Sequence, residues 1–211
     1  MELKEDFYKF ALKRLGYKSR KDLYENLCIK AIVDSYRRIS KLQGLENDIR
    51  DRFILDLEKE NPLTSSLIQN DILQLDFERY HFVSSKEKRR TDIVFFISGI
   101  GKFTFECKRL FQKTNKNIYY FNEGLKRFLD LKYAFNENYG GMLGFIISGD
   151  ILTILNDINN KLKMPPYISK ELNLLSQQCV DWTHSFQSKH IRIDNTKIHI
   201  YHLFFEFSSE K

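Results

Sequence analysis

Thr91-Asp92-Ile93-Val94-Phe95-Phe96-Ile97-Ser98-Gly99-Ile100-Gly101-Lys102-Phe103-Thr104-Phe105-Glu106-Cys107-Lys108-Arg109-Leu110 contains two β-type runs, Asp92 to Ile97 and Lys102 to Leu110, around a tight turn. Side chains alternate across a strand, so Phe103, Phe105 and Cys107 are expected to face a core while Thr104, Glu106 and Lys108 share the opposite face. Glu106 and Lys108 then stand roughly 6 to 7 Å apart, two steps of strand rise. If Gly99 and Gly101 close a hairpin, Asp92 returns beside them, and two carboxylates converge with one ammonium. The turn is not a phosphate loop: Phe96 stands where the first glycine of that motif belongs, and Phe103 replaces its Ser or Thr.

Ahead of this stretch, a helix from about Leu45 to Glu60 carries Ile49, Phe53 and Leu57 on one face and Glu46, Arg50 and Asp51 nearer the other, and Pro62 stops it. A short helical stretch from Ser65 to about Leu73 leads to a β run, Leu75 to Val83, and a charged connection, Ser84 to Arg90. Behind it, Leu125, Phe128, Leu129 and Phe135 space out one buried face of a helix from about Asn122 to Asn138, ended by Gly140 and Gly141. Met142 to Ile147 is almost wholly apolar, as a strand covered on both faces would be. Strand, helix, buried strand reads as a parallel crossover.

The N-terminal residues read as helices, with Ser19 and Asp22 as a capping box. After the core come a helix from Ile151 to Leu162, another from Lys170 to about Phe186, and a hairpin of Ile191–Ile193 and Ile198–Phe207 turning at Asp194–Lys197. No repeat or linker divides the chain. The expectation is one α/β domain over 1–211: a helical extension (1–44), a core (45–150), then C-terminal helices and hairpin (151–211).

Two carboxylates and a backbone carbonyl can hold Mg²⁺ or Mn²⁺, which takes a phosphate oxygen as a further ligand; a lysine alongside can orient or help deprotonate water. Such a cluster suits phosphodiester hydrolysis. The Glu-x-Lys tripeptide alone carries little, since Glu2-Leu3-Lys4 and Asp130-Leu131-Lys132 match the same spacing in helical patterns, where positions two apart point about 200° apart. For the tripeptide by itself, a solvated ion pair is the simpler reading.

Its context changes this. Helix, β meander, helix and buried strand, with Asp92 heading the second strand and Glu106-Cys107-Lys108 in the third, resembles the PD-(D/E)xK, or restriction-endonuclease-like, nuclease superfamily. The match spans roughly Leu45 to Ile147, with Thr91 standing where the motif's name has proline. The resemblance implies an α-β-β-β-α-β core, metal binding by Asp92, Glu106 and the carbonyl of Cys107, and water activation by Lys108. It also implies an assisting glutamate on the preceding helix, by order Glu46, with Asp48 as the alternative.

Lys and Arg total 34 against 28 Asp and Glu, a net charge of +6, which points to an acidic partner. From Lys86 to Lys116 nine basic residues face three acids, an excess equal to that of the whole chain. Lys88, Arg89, Arg90, Arg109 and Lys113 are therefore candidate contacts to a nucleic-acid backbone, with DNA the expected substrate. A solvated turn accounts equally well for Lys86 to Arg90 taken alone. Lys126, Arg127 and Lys132 could meet phosphates, and Tyr119 and Tyr120 could stack on bases, but a solvated helix face and the edge of a core are the simpler readings; Arg50 and Arg52 are equally open, since Glu46 and Arg50 make an ordinary i,i+4 pair.

A composition of 42% hydrophobic and 29% charged residues excludes a disordered polymer and a membrane bundle. Cys28, Cys107 and Cys179 lack disulfide or metal-knuckle spacing, and no window approaches a membrane span, so a reduced, cytoplasmic protein is expected. His81, His184, His190, His199 and His202 show no zinc spacing. Two other readings remain: a nuclease-like fold that binds nucleic acid without turnover, and a scaffold using Ile198–Phe207 as an edge for strand pairing. The residues leave open whether two copies pair as a homodimer.

Overall fold

The computed structural model describes residues 2–77, 80–84, 87–112, 115–168 and 181–207, with the backbone alone over 2–7, 80–84 and 87–90. Four helical segments come first: α1 (Glu2–Arg14), then α2 (Arg20–Leu23) running through a π-helical turn, Tyr24–Ile29, into α3 (Lys30–Arg38), then α4 (Glu46–Lys59). Ser19 Oγ accepts the Asp22 N–H at 3.1 Å, the expected N-cap, while the Asp22 carboxylate takes the N–H of Lys18. After α5 (Ser65–Gln69) come β1 (Leu73–Asp76), β2 (Tyr80–Ser84), β3 (Glu87–Arg90), β4 (Ile93–Ile97) and β5 (Gly101–Phe111). A second π-helical turn, Tyr120–Leu125, continues into α6 (Lys126–Leu129); β6 (Tyr139–Ser148), α7 (Ile151–Leu162), β7 (Ser185–Ile191) and β8 (Lys197–Glu206) complete the order.

The protein is α/β, built on an open, mixed six-stranded sheet in the order β1-β4-β5-β6-β8-β7. β1, β4 and β5 are antiparallel neighbours; β5, β6 and β8 are parallel; β7 returns antiparallel to β8. Alternation along β5 holds as read: Phe103, Phe105 and Cys107 enter a core shared with Ile49, Phe53 and Leu57 of α4. The opposite face is not solvated, however. The second π-helical turn, α6 and α7 cover it with Tyr120, Phe121, Leu125, Phe128, Ile154 and Ile158, so Thr104, Glu106 and Lys108 are buried too.

Several expectations need correction. The run Leu75 to Val83 is two strands: Leu73–Asp76 pair with β4, while Tyr80–Ser84 pair with Glu87–Arg90 in a separate ribbon. All the described residues of the charged connection are thus strand, because backbone pairing to a β-prone neighbour needs no apolar side chains. The crossover helix ends at Leu129, not near Asn138. Leu131 and Ala134 take positive φ, 58° and 51°, Tyr133 folds inward, and the Arg192 guanidinium gathers the carbonyls of Phe135 and Glu137, leaving Phe135 exposed. Gly140 and Gly141 do not stop a helix but lie in β6, where the rings of Phe128 and Phe105 fill the space their side chains would need. Finally, β8 is an interior strand between β6 and β7, so Ile198–Phe207 offers no free edge. The helix expected from Lys170 falls on 169–180, outside the described residues, and its expected end is strand, since β7 starts at Ser185.

The glycine packing carries a prediction. A Cβ at Gly141 would overlap the Phe105 ring between paired strands, where neither partner can retreat. Gly141→Ala is expected to cost about 1–3 kcal/mol, read as a lower denaturant midpoint at unchanged slope. Among the described residues no helix is long and apolar enough to cross a membrane.

Candidate active site

β4 pairs with β5 only through Gly101–Phe105. Further along that edge of β5, alternate N–H groups face outward, and three side chains receive them. Asp92 Oδ2 accepts from Cys107 N at 2.7 Å, Glu46 Oε2 from Arg109 N at 3.1 Å, and Asn117 Oδ1 from Phe111 N at 2.9 Å. Asp92 and Glu46 are therefore placed by backbone donors that a strand partner has left free. Glu46 opens α4, where the positive end of the helix favours an acid. Asp48, the alternative, caps the same helix by accepting the Leu45 N–H at 3.0 Å and does not reach the site.

Lys108 Nζ lies among three oxygens: the carbonyl of Cys107 at 2.7 Å, Glu106 Oε1 at 2.7 Å and Glu46 Oε1 at 3.2 Å. Arg127 Nη1 donates to Glu106 Oε1 at 2.8 Å and to the Tyr133 hydroxyl at 2.7 Å. On the far side, Arg50 Nη1 stands 3.5 Å from Asp92 Oδ1 while its Nε and Nη2 hold Asp51. The four expected residues, Glu46, Asp92, Glu106 and Lys108, are thus brought together. The Cys107 side chain points into the core, and only its backbone N–H and C=O serve the site.

Burial sets the electrostatics. Glu106 is 1% exposed, and burial, with the charge of Asp92 nearby, raises its pKa to about 8 against the pull of Lys108 and Arg127. Burial opposes the charge on Lys108, but the carboxylates of Glu106, Glu46 and Asp92 outweigh it and hold the ammonium protonated well above its usual range. Burial also lifts the thiol of Cys107, so it is no nucleophile at neutral pH.

Helical spacing pairs Arg50 with Glu46 and puts Arg127 on the polar side of the crossover helix. Both instead turn inward, Arg50 to Asp92 and Arg127 to Glu106. The available signal was positional: a helix crossing from β5 to β6 must pass over the face that carries Glu106. Arg52 gathers the carbonyls of Ser40 and Gln43, outside the cluster. Of the candidate nucleic-acid contacts, Arg109 lies beside the site, with its guanidinium 3.5 Å from the Gly44 carbonyl and over the Phe111 ring. The side chains of Lys88, Arg89 and Arg90, and all of Lys113, are outside the described residues.

Among the described residues no three His, Cys, Asp or Glu side chains form a metal-holding group. A cation here would rest on two carboxylates and a carbonyl. The donors suit a hard divalent ion: all are oxygens, and Glu106 Oε2 is buried with no hydrogen-bond partner among the described residues.

The fold and site together define an α/β protein with a buried acid–lysine cluster at the free edge of a central strand. No family model, curated protein or solved structure matches the chain.

Proposed function

We propose that this protein is a divalent-metal-dependent nuclease of the PD-(D/E)xK kind, hydrolysing nucleic-acid phosphodiesters, DNA in particular. One observation carries the reading: Asp92, Glu106, the Cys107 carbonyl and Lys108 converge where β4 leaves β5. The order α4, β1, β4, β5, α6, β6 supports the same core, with the β2–β3 ribbon as an insertion.

Asp92, Glu106 and the Cys107 carbonyl would hold Mg²⁺ or Mn²⁺. When bound, such an ion supplies Lewis acidity to the phosphoryl oxygens and lowers the pKa of a neighbouring water. The chain's own residues do the rest. The N–H of Cys107 fixes the Asp92 carboxylate, and Arg50 orients its other oxygen. Arg127 and Tyr133 hold Glu106 from the crossover side. Lys108, kept protonated, donates to the attacking water or to a phosphate oxygen. Arg50, Lys108 and Arg127 stand around Asp92, Glu106 and Glu46, and a divalent ion would add positive charge for a phosphate to neutralise.

Purified protein is expected to cleave DNA with Mg²⁺ or Mn²⁺ and to stop on adding EDTA. Failure to cleave DNA or RNA with either ion sinks the reading. Binding indifferent to EDTA with no products would establish instead a nucleic-acid-binding protein without turnover.

A further inference from the structure

We propose that the Lys108 ammonium and a divalent cation compete for one set of oxygens, and that Glu46 acts as a positioning residue that draws the ammonium aside rather than as a metal ligand. The proposal deepens the metal-dependent reading and rests on it.

Two of the oxygens around Lys108 Nζ, the Cys107 carbonyl and Glu106 Oε1, each 2.7 Å away, belong to the donor set described above. An ion at about 2.1 Å from those oxygens would stand within about 5 Å of the ammonium. Like charges so close in a pocket where Glu106 is 1% and the Lys108 side chain 10% exposed repel strongly. One of them must yield. Without an ion, the ammonium donates to Glu106 and to the carbonyl, so these oxygens stay gathered.

Glu46 marks the way out. Its Oε1 is the most distant of the three oxygens, 3.2 Å from Nζ, and its side chain is the most open of the group, 31% exposed. Both its oxygens are already used by the protein, Oε2 on the Arg109 N–H and Oε1 on Lys108. A lysine drawn toward Glu46 leaves the carbonyl free while staying beside the reacting centre, where an ammonium that serves water has to be.

The test is Mn²⁺ binding measured by titration calorimetry without nucleic acid, on folded protein verified by circular dichroism. Lys108→Met is expected to bind Mn²⁺ at least tenfold more tightly than wild type, and Lys108→Arg, which keeps the charge, no more tightly. Glu46→Gln alone is expected to weaken binding at least threefold, and to have no effect in the Lys108→Met background. If Lys108→Met binds no more tightly, the competition is refuted; if Glu46→Gln weakens binding equally in both backgrounds, Glu46 is a ligand and the positioning role is refuted. In wild-type protein, the ammonium NMR signal of Lys108 is expected to move on saturation with Mg²⁺, and an unmoved signal overturns the proposal without any variant. If neither wild type nor Lys108→Met binds an ion, the metal-dependent reading itself fails.

Discussion

Asp92→Asn is expected to slow Mg²⁺-dependent cleavage by about 10²-fold or more with little change in fold, and Glu106→Gln to do the same. Asparagine keeps the oxygen that accepts the Cys107 N–H, so the free edge of β5 stays satisfied while the charge that would hold an ion is lost. Glutamine at 106 keeps an acceptor for Lys108 and Arg127. Stability separates lost chemistry from lost structure. Glu106 has a folded-state pKa raised to about 8, so its contribution to stability is fully present below the ordinary carboxyl value and is lost as pH rises toward 8. Glu106→Gln has no such loss and is expected to melt no earlier than wild type at pH 8. A variant that melts normally and no longer cuts supports the assignment. Wild-type rates from Asp92→Asn at saturating Mg²⁺ would falsify it.

How much of this could be read in the residues follows from the range of the interactions. α4, β4, β5, β6 and α7 were legible because periodicity is local: Ile49, Phe53 and Leu57 repeat along a helix, and Phe103, Phe105 and Cys107 alternate along a strand. The gathering of Asp92, Glu106 and Lys108 was legible for the same reason, since one hairpin of known turn sets it. What was not legible depends on partners distant in sequence. The length of α6 is decided by Arg192 holding the carbonyls of Phe135 and Glu137, some 55 residues away. Gly140 and Gly141 look like helix stops until the rings of Phe128 and Phe105 are seen to require them. Arg127 looks solvated until the crossover places it over Glu106, 21 residues earlier.

The same blindness hid a polar chain two strands across the sheet from Glu106, and it carries the second large effect. The Tyr120 hydroxyl meets His202 Nδ1 at 2.7 Å, His202 Nε2 meets Ser188 Oγ at 2.7 Å, and Ser188 Oγ meets His190 Nε2 at 2.6 Å. Nothing in the sequence brings Ser188 of β7 beside His202 of β8; the register does, by setting Phe186 opposite His202 and Ser188 opposite Ile200, so that the two are diagonal neighbours. All four residues are buried. Burial keeps the tyrosine a phenol. With both imidazoles neutral, each link of the chain can have one donor and one acceptor. A proton added to His202 would make both its ring nitrogens donors, where the chain needs one of them to accept.

Burial lowers His190 to about 4, and burial with the charge of His190 lowers His202 to about 3, from ordinary values of 6.5. The linkage has a definite sign. Folded-state values below the unfolded ones mean that stability is fully present above pH 6.5 and is lost as pH falls toward 4 and then 3. Shifts of this size are worth roughly 3 to 5 kcal/mol per histidine, comparable together with the whole stability of many domains. Wild-type protein is therefore expected to unfold on mild acidification, followed by Trp182 fluorescence. Glu106 works in the opposite direction between pH 8 and its ordinary value, so the informative quantity is a difference. The double variant His190→Gln/His202→Gln is expected to lose less stability between pH 6.5 and 4 than wild type by several kcal/mol, whatever its stability at neutral pH. Equal losses over that interval would mean that the buried imidazoles accept their protons without opening the fold.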